Sequence, residues 1–217
     1  MTLLSKLLSF FPALTLGLAA LSFLYGIWNH SPWSLILCLF FLYGLPVLIY
    51  RLHNAVYPLK NGISYLQGTE YSPWWGSHQL QVIYIAFPVL ETLLRLVPGV
   101  FSAWLRLWGA QIGKQVYWTP VLEIADRGLL TIGNGVVFGH RVGMYSHIVK
   151  PRRENLMLYL KPITIGDNSF IGAGSYIGPG ATIKANSYLE AGSEIYPNVT
   201  IDSAQETNQE ANYALAD

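Results

Sequence analysis

The chain has 217 residues, of which 52% are hydrophobic and 12% charged, with a net charge of +1 and a single cysteine, Cys38. So few charges exclude an ordinary soluble globule, for which about 25% is usual. The near-neutral balance excludes a basic nucleic-acid-binding surface, and one cysteine excludes a disulfide framework or a thiolate cluster.

Between Lys6 and Arg51 there is no Asp, Glu, Lys or Arg. The polar turn Asn29-His30-Ser31-Pro32 divides this stretch into halves of about twenty residues, the length an α-helix needs to cross a ~30 Å hydrocarbon core. The pattern predicts a transmembrane hairpin, 7–28 out and 33–50 back, within a segment 1–57. Lys6, Arg51 and Lys60 flank the ends on one side, and the turn carries no fixed positive charge. The positive-inside rule then puts both ends, and the domain that follows, on the cytoplasmic side of the inner membrane. Trp28, Trp33 and Tyr50 fall where interfacial anchors are expected. Lys6 and the apolar run to Ala19-Ala20 also fit a cleaved signal peptide, but a second full-length apolar span straight afterwards argues against it.

The segment 58–108 mixes apolar residues with Gln79, Gln81, Glu91, Arg95 and Arg106. Pro88 and Pro98 break it into short helices. Trp74, Trp75, Trp104 and Trp108 suit a headgroup region, so amphipathic membrane-surface helices are one expectation. A helical cap on the following domain is the other, and the two are compatible.

From Ile165 an aliphatic residue recurs every sixth position, at Ile171, Ile177, Ile183, Leu189, Ile195 and Ile201. Four residues after each beat stands a small or β-branched residue, from Ser169 to Val199, and glycine follows the first three beats at Gly166, Gly172 and Gly178. Neither a helix nor a plain strand has a period of six. A solenoid with three short faces per coil of about eighteen residues does. The aliphatic residue points inward, the small one fits beside it, and glycine is expected to free the tight corner. The same grammar starts at Ile112-Gly113 and runs through Trp118 and Ile124. It slips by two residues at Gly128-Leu129-Leu130, resumes at Ile132, Phe138 and Met144, and breaks at Val149-Lys150-Pro151 before Ile163. The solenoid is expected to fill 109–202, with a loop at the break, followed by a polar tail, 203–217, expected to be disordered. Long excursions from regular scaffolds tend to carry function.

The run from Ile165-Gly166-Asp167-Asn168 to Ala181-Thr182-Ile183 resembles the hexapeptide-repeat acyltransferases. That resemblance implies an all-β, left-handed parallel β-helix, here preceded by the α-helical transmembrane hairpin and the amphipathic helices. It also implies a homotrimer and acyl-CoA as donor, acetyl-CoA favoured, with no metal. In the sugar acetyltransferases of the family a catalytic histidine stands just before a loop leading into a Pro-[Ile/Val]-x-Ile-Gly motif; Pro162-Ile-Thr-Ile-Gly166 matches it, and His147 holds that place. A neutral imidazole there can take the proton of an attacking hydroxyl or amine. Asp126 could orient that ring from a neighbouring coil or subunit, or be a turn-forming aspartate.

By the same resemblance the backbone N–H of Ala173, after Phe170-Ile171-Gly172, faces the developing oxyanion. Gly172, Gly174, Ala191 and Gly192 line the donor groove, and Lys161 meets the donor. Ordinary corner packing explains these small residues equally well. Lys150, Arg152 and Arg153 are candidates for coenzyme A phosphates, a phosphorylated acceptor or anionic lipid. His78, beside Trp74-Trp75, is a candidate for acceptor binding. The expected acceptor is a lipid, a lipid-linked glycan or another membrane-associated molecule, and membrane lipids are the expected partners. Two alternatives stand beside this: a non-catalytic membrane-tethered scaffold, and a zinc-dependent relative like the γ-class carbonic anhydrases. For the latter, His140 and His147 lie on neighbouring faces and no third ligand is evident.

Overall fold

The computed structural model describes residues 2–152 and 155–202, which form two compact units. The first takes in Met1–Lys60, Ser64–Ala86 and Lys150–Leu158; the second takes in Asn61–Ile63, Phe87–Val149 and Tyr159 onward.

In the first unit, helices α1 (Leu3–Leu8) and α2 (Phe11–Asn29) run up to His30, whose left-handed backbone (φ 51°) ends the helix. Helix α3 (Trp33–Leu39) returns through a π turn, Phe40–Gly44, into α4 (Leu45–Val56). Two helical stretches, Leu3–Asn29 and Trp33–Val56, are long and apolar enough to cross a membrane, by length and composition. Their outer surface is apolar, with Trp28 86% and Trp33 76% exposed at the turn. Small residues line the seam: Ala19, Ser22 and Ser34 are buried, and a Cβ on Gly26 would come within 2.8 Å of the Ser34 Cβ. Close approach through small residues is how helices associate where hydrophobic burial supplies no preference.

Pro46 explains the π turn's polar partner. Lacking an N–H, it cannot bond the Leu42 carbonyl four residues back. The Tyr84 hydroxyl, from α5 (Pro73–Ala86), donates to that carbonyl at 2.6 Å instead. Tyr50, expected as a membrane-interface anchor, is only 3% exposed and therefore packs inside the protein.

The excursion expected as a loop is a β-hairpin, His147–Arg152 and Asn155–Leu160, in a three-stranded sheet with Gly62–Tyr65. Within the first unit, Leu66 N–H bonds the Leu156 carbonyl at 2.9 Å and Gln67 N–H bonds Asn155 Oδ1 at 2.9 Å. Alternating Leu156, Leu158 and Leu160 favour this pairing, because one face of a strand is apolar.

The second unit opens with α6 (Val89–Arg95) and α7 (Val100–Leu107), separated at Pro98-Gly99. Trp104 (5% exposed) and Trp108 (0%) are buried here, and Trp74 (5%) is buried in the other unit. The headgroup positions expected for these three tryptophans are thus corrected: each is core. Helix α7 packs on Gln111–Ile112, the first strand of the solenoid, and covers its open end.

From there every third strand stacks in parallel, giving three sheets. One holds Gln111–Ile112, Leu130–Ile132, Ile163–Ile165, Thr182–Ile183 and Thr200–Ile201; a second holds Val137–Phe138, Phe170–Ile171 and Tyr188–Leu189. The third holds Glu123–Ile124, Gly143–Met144, Tyr176–Ile177 and Glu194–Ile195. Phe170 pairs with Tyr188 and Tyr176 with Glu194, a coil of eighteen residues. Ile112 pairs with Ile132 and Ile124 with Met144, a coil of twenty. The two extra residues are taken up by a single 3₁₀ turn, Arg127–Leu129.

The inward beats from Ile165 to Ile195 are buried, with Ile165 1% exposed and Ile171, Ile177 and Ile183 0%, while the last, Ile201, is partly exposed. The small residue four places on also bonds the coils together. Ser175 Oγ donates to the Gly172 carbonyl at 2.8 Å and reaches the Glu190 carbonyl one coil away at 3.2 Å. The glycines that follow the beats have a different task from the one expected. Gly166 and Gly172 do not adopt positive φ; a Cβ on either would overlap the backbone of the next coil, at Ala185 and at Glu190-Ala191. The left-handed corner lies two residues later, at Asn168 (φ 57°) and Gly174 (φ 72°), where asparagine and glycine are least strained.

Candidate active site

Two corners of the solenoid collect the residues singled out in the sequence. The first follows the Phe170–Ile171 and Tyr188–Leu189 strands. It stacks Gly172, Ala173 and Gly174 on Ala191 and Gly192 of the next coil: Gly172 N–H bonds the Leu189 carbonyl at 2.9 Å, and Gly192 N–H bonds the Ala173 carbonyl at 2.8 Å. Ala173, Ala191 and Gly192 are exposed. His140 stands on the coil before, its carbonyl taking Gly174 N–H at 2.7 Å, with an exposed side chain.

The second corner follows the Gly143–Met144 strand, and here the chain leaves the coil. Asp126 occupies the same corner one coil earlier, just after Glu123–Ile124. Stacking brings them together: His147 Nδ1–H donates to Asp126 Oδ2 at 2.6 Å. The carboxylate is 2% exposed and the imidazole side chain 17%. An ionised carboxylate only accepts, so this bond puts the ring proton on Nδ1 and the lone pair on Nε2. Lys161, where the hairpin rejoins, sits at the same corner: its N–H bonds the Ser146 carbonyl at 2.9 Å, and its ammonium bonds Asn198 Oδ1 at 2.8 Å.

Beneath Asp126 lies a buried ion cluster that sequence reasoning missed. Arg127, 1% exposed, donates through Nε to Glu91 Oε1 at 2.6 Å and through Nη2 to Glu91 Oε2 at 3.0 Å. Trp104 Nε1–H donates to the same carboxylate at 3.1 Å, and Arg95 stands 3.7 Å away. Glu91 and Arg95 are one helical turn apart, which was legible; that Arg127 turns inward to meet them was not. The two-residue slip at the 3₁₀ turn is the signal that could have found it. It presents Asp126 to one side of the chain and Arg127 to the other.

Tyr145, two residues before His147, stacks on Tyr176 with ring centroids 6.0 Å apart. Burial first, and then the charge and hydrogen bond of Glu123, push its phenol well above the ordinary tyrosine value.

The remaining candidates belong to the first unit or lie outside the described residues. His78 belongs to the first unit, where its ring stacks on Trp74 with centroids 5.0 Å apart. Lys150 and Arg152 are exposed and also belong to the first unit. Arg153 and the tail 203–217 lie outside the described residues. Among the described residues no group of three or more His, Cys, Asp and Glu side chains could hold a metal ion.

Residues 162–197 match the family model of the bacterial transferase hexapeptide, six repeats. A Dictyostelium discoideum protein, whose name assigns it provisionally to the acetyltransferases, is 39% identical over 76 residues; that stretch is 34% of this chain and 40% of that protein, so the chain spans about two fifths of its relative. Among solved structures, a hexapeptide-repeat acetyltransferase of Vibrio cholerae complexed with acetyl coenzyme A is 19% identical, covers 57% of this chain and 84% of its own, and superposes with a TM-score of 0.41. A maltose O-acetyltransferase of Clostridium difficile is 22% identical, with coverage of 56% and 82% and a TM-score of 0.39. Residues 162–197 thus carry the six-repeat hexapeptide pattern of the bacterial transferases.

Proposed function

We propose that the chain is an acyltransferase that moves an acyl group, acetyl in the simplest case, from acyl-CoA to a hydroxyl or amine. The observation that carries this reading is the 2.6 Å bond between His147 and Asp126 at the corner where the hexapeptide beat is interrupted. His147 Nε2 takes the proton as the acceptor oxygen or nitrogen attacks the thioester carbonyl. The tetrahedral oxyanion is met by the Ala173 N–H, a donor whose value is greatest in the transition state. Collapse breaks the C–S bond, and the imidazolium returns its proton to the leaving thiolate, giving free CoA and the acylated acceptor. Asp126 holds the ring in one tautomer and stabilises its charged form.

Ala173 and His147 stand on different corners of one solenoid, so a complete site takes its oxyanion corner from a neighbouring chain. The reading therefore includes a homotrimer, with the pantetheine arm along Gly172, Gly174, Ala191 and Gly192 and with Lys161 beside it. The two apolar helical stretches act as an anchor in the cytoplasmic membrane, with the solenoid on the cytoplasmic side. Anchoring raises the local concentration of an acceptor confined to the bilayer, a lipid or lipid-linked glycan. Lys150 and Arg152 then meet CoA phosphates or anionic lipid, worth about 1 kcal/mol each near a membrane.

The test is thiol release from acetyl-CoA by the full chain in membranes, together with mass spectrometry of lipids and glycans from cells with and without the gene. A mass difference of one acyl group, lost in His147→Ala, is the expected result. No difference with any acyl donor would leave the solenoid as a tethered scaffold.

A further inference from the structure

A cavity of about 420 Å³ opens in the solenoid unit between α7 and the first coil, with Arg95, Phe101, Lys114, Tyr117 and Trp118 in its wall. None of these residues takes part in the proposed transfer. The Arg95 side chain is 2% exposed. Its Nη2 donates to the Leu122 carbonyl at 3.3 Å and lies 3.7 Å from Glu91, and its guanidinium carbon stands 4.2 Å above the Phe101 ring. Its Nε and Nη1 are buried and have no hydrogen-bond partner among the described residues.

Glu91 is already bonded twice by Arg127. Arg95 therefore shares that carboxylate with a second buried guanidinium, and its own unmet Nε and Nη1 are costly for a buried charge. Burial, and then the nearby Arg127 against the pull of Glu91, lowers Arg95 to about 10, still cationic at neutral pH. The N-terminus of α7 opens on the same cavity. Gly99 supplies no capping side chain, and the first-turn amides of Phe101 and Ser102 have no intrahelical acceptor to use. A helix N-terminus carries partial positive charge. Arg106, bonded to the Ile112 and Gly113 carbonyls, and the exposed Lys114 are the other cations of the wall, and the aromatic rings form its apolar side. Orphaned charged donors, a helix N-terminus and a rim lysine all call for the same complement, a tetrahedral oxyanion.

We propose that this cavity binds a phosphate group, with Arg95 as its buried anchor, the α7 amides as donors and Lys114 at the entrance. Free phosphate and the headgroup of an anionic lipid present the same chemistry.

The experiment is thermal unfolding and calorimetric titration of the full chain in neutral nanodiscs, at constant ionic strength. One arm uses inorganic phosphate and the other a short-chain phosphatidic acid, with chloride as control. Saturable binding to either probe is expected, and the preferred probe identifies the source. Arg95→Met should weaken it by about tenfold or more, as loss of a charged hydrogen bond does, and the exposed Lys114→Ala by about threefold. Lys114→Ala keeps the test open should Arg95→Met fail to fold. Absence of saturable binding to both probes overturns the proposal, and so does unchanged affinity in both variants. Binding is read without acyl transfer, so the result is independent of the activity proposed above.

Discussion

Asp126 Oδ2 and His147 Nδ1 meet at 2.6 Å although 21 residues separate them. One coil of twenty residues, two longer than the eighteen-residue coils beyond the hairpin, brings the aspartate under the histidine. The carboxylate is nearly sealed from solvent while the imidazole keeps an exposed edge, the arrangement a positioned base requires.

Replacing either member should separate base from scaffold. Asp126→Asn is expected to lower kcat by about a hundredfold or more with little change in KM, because the ring loses its tautomer rather than its binding contacts. His147→Ala should lower it by about two to four orders of magnitude. Thermal unfolding run in parallel checks the fold, and a kcat that survives both changes would sink the assignment.

The two kinds of solenoid glycine should respond oppositely to asparagine. Gly172→Asn puts a Cβ into the Glu190-Ala191 backbone, a clash expected to cost about 1–3 kcal/mol. Gly192→Asn meets nothing within 4 Å and keeps a residue type already found at φ 60° and 63°, Asn186 and Asn198. Its change should stay within about 0.5 kcal/mol. Denaturant unfolding of the two variants distinguishes them.

Glu91 is expected to behave as a keystone of the buried cluster. Glu91→Gln removes the carboxylate that Arg127 and Arg95 share and should destabilise the chain by about 3–5 kcal/mol. The double change Glu91→Gln with Arg127→Met should recover part of that loss, since removing a buried pair together costs far less than breaking it. A double-mutant cycle by chemical unfolding measures the difference.

Tyr145 sets a pH dependence. Its folded pKa is raised, by burial and then by Glu123, so between about pH 10 and that raised value the folded state holds a proton that the unfolded chain has lost. Its contribution is therefore complete below about pH 10 and declines as pH rises further. Absorbance titration of tyrosinate should show a late-titrating phenol that is absent in Tyr145→Phe.

How much could be read beforehand follows from where each constraint acts. The beat from Ile165 to Ile201, its slip at Gly128-Leu129-Leu130 and its break before Ile163 are written locally, because each inward position sees the same narrow interior coil after coil. The breaks at Pro88 and Pro98 are equally local, since proline removes an N–H wherever it stands. His147 is legible by the same logic, as the residue at the edge of an interruption.

What only the tertiary structure decided are the contacts between residues that no period connects. Trp74, Trp104 and Trp108 look like interfacial aromatics in the chain and are core in the fold. Burial depends on what packs over a ring, and for Trp108 that is α7 turning back on the first coil. Tyr84 reaches the carbonyl that Pro46 leaves open, 42 residues away in the chain. The hexapeptide beat alone determined the scaffold; the stacking of its coils decided that Asp126 faces His147, that Arg127 faces inward, and that Arg95 is left with donors unmet.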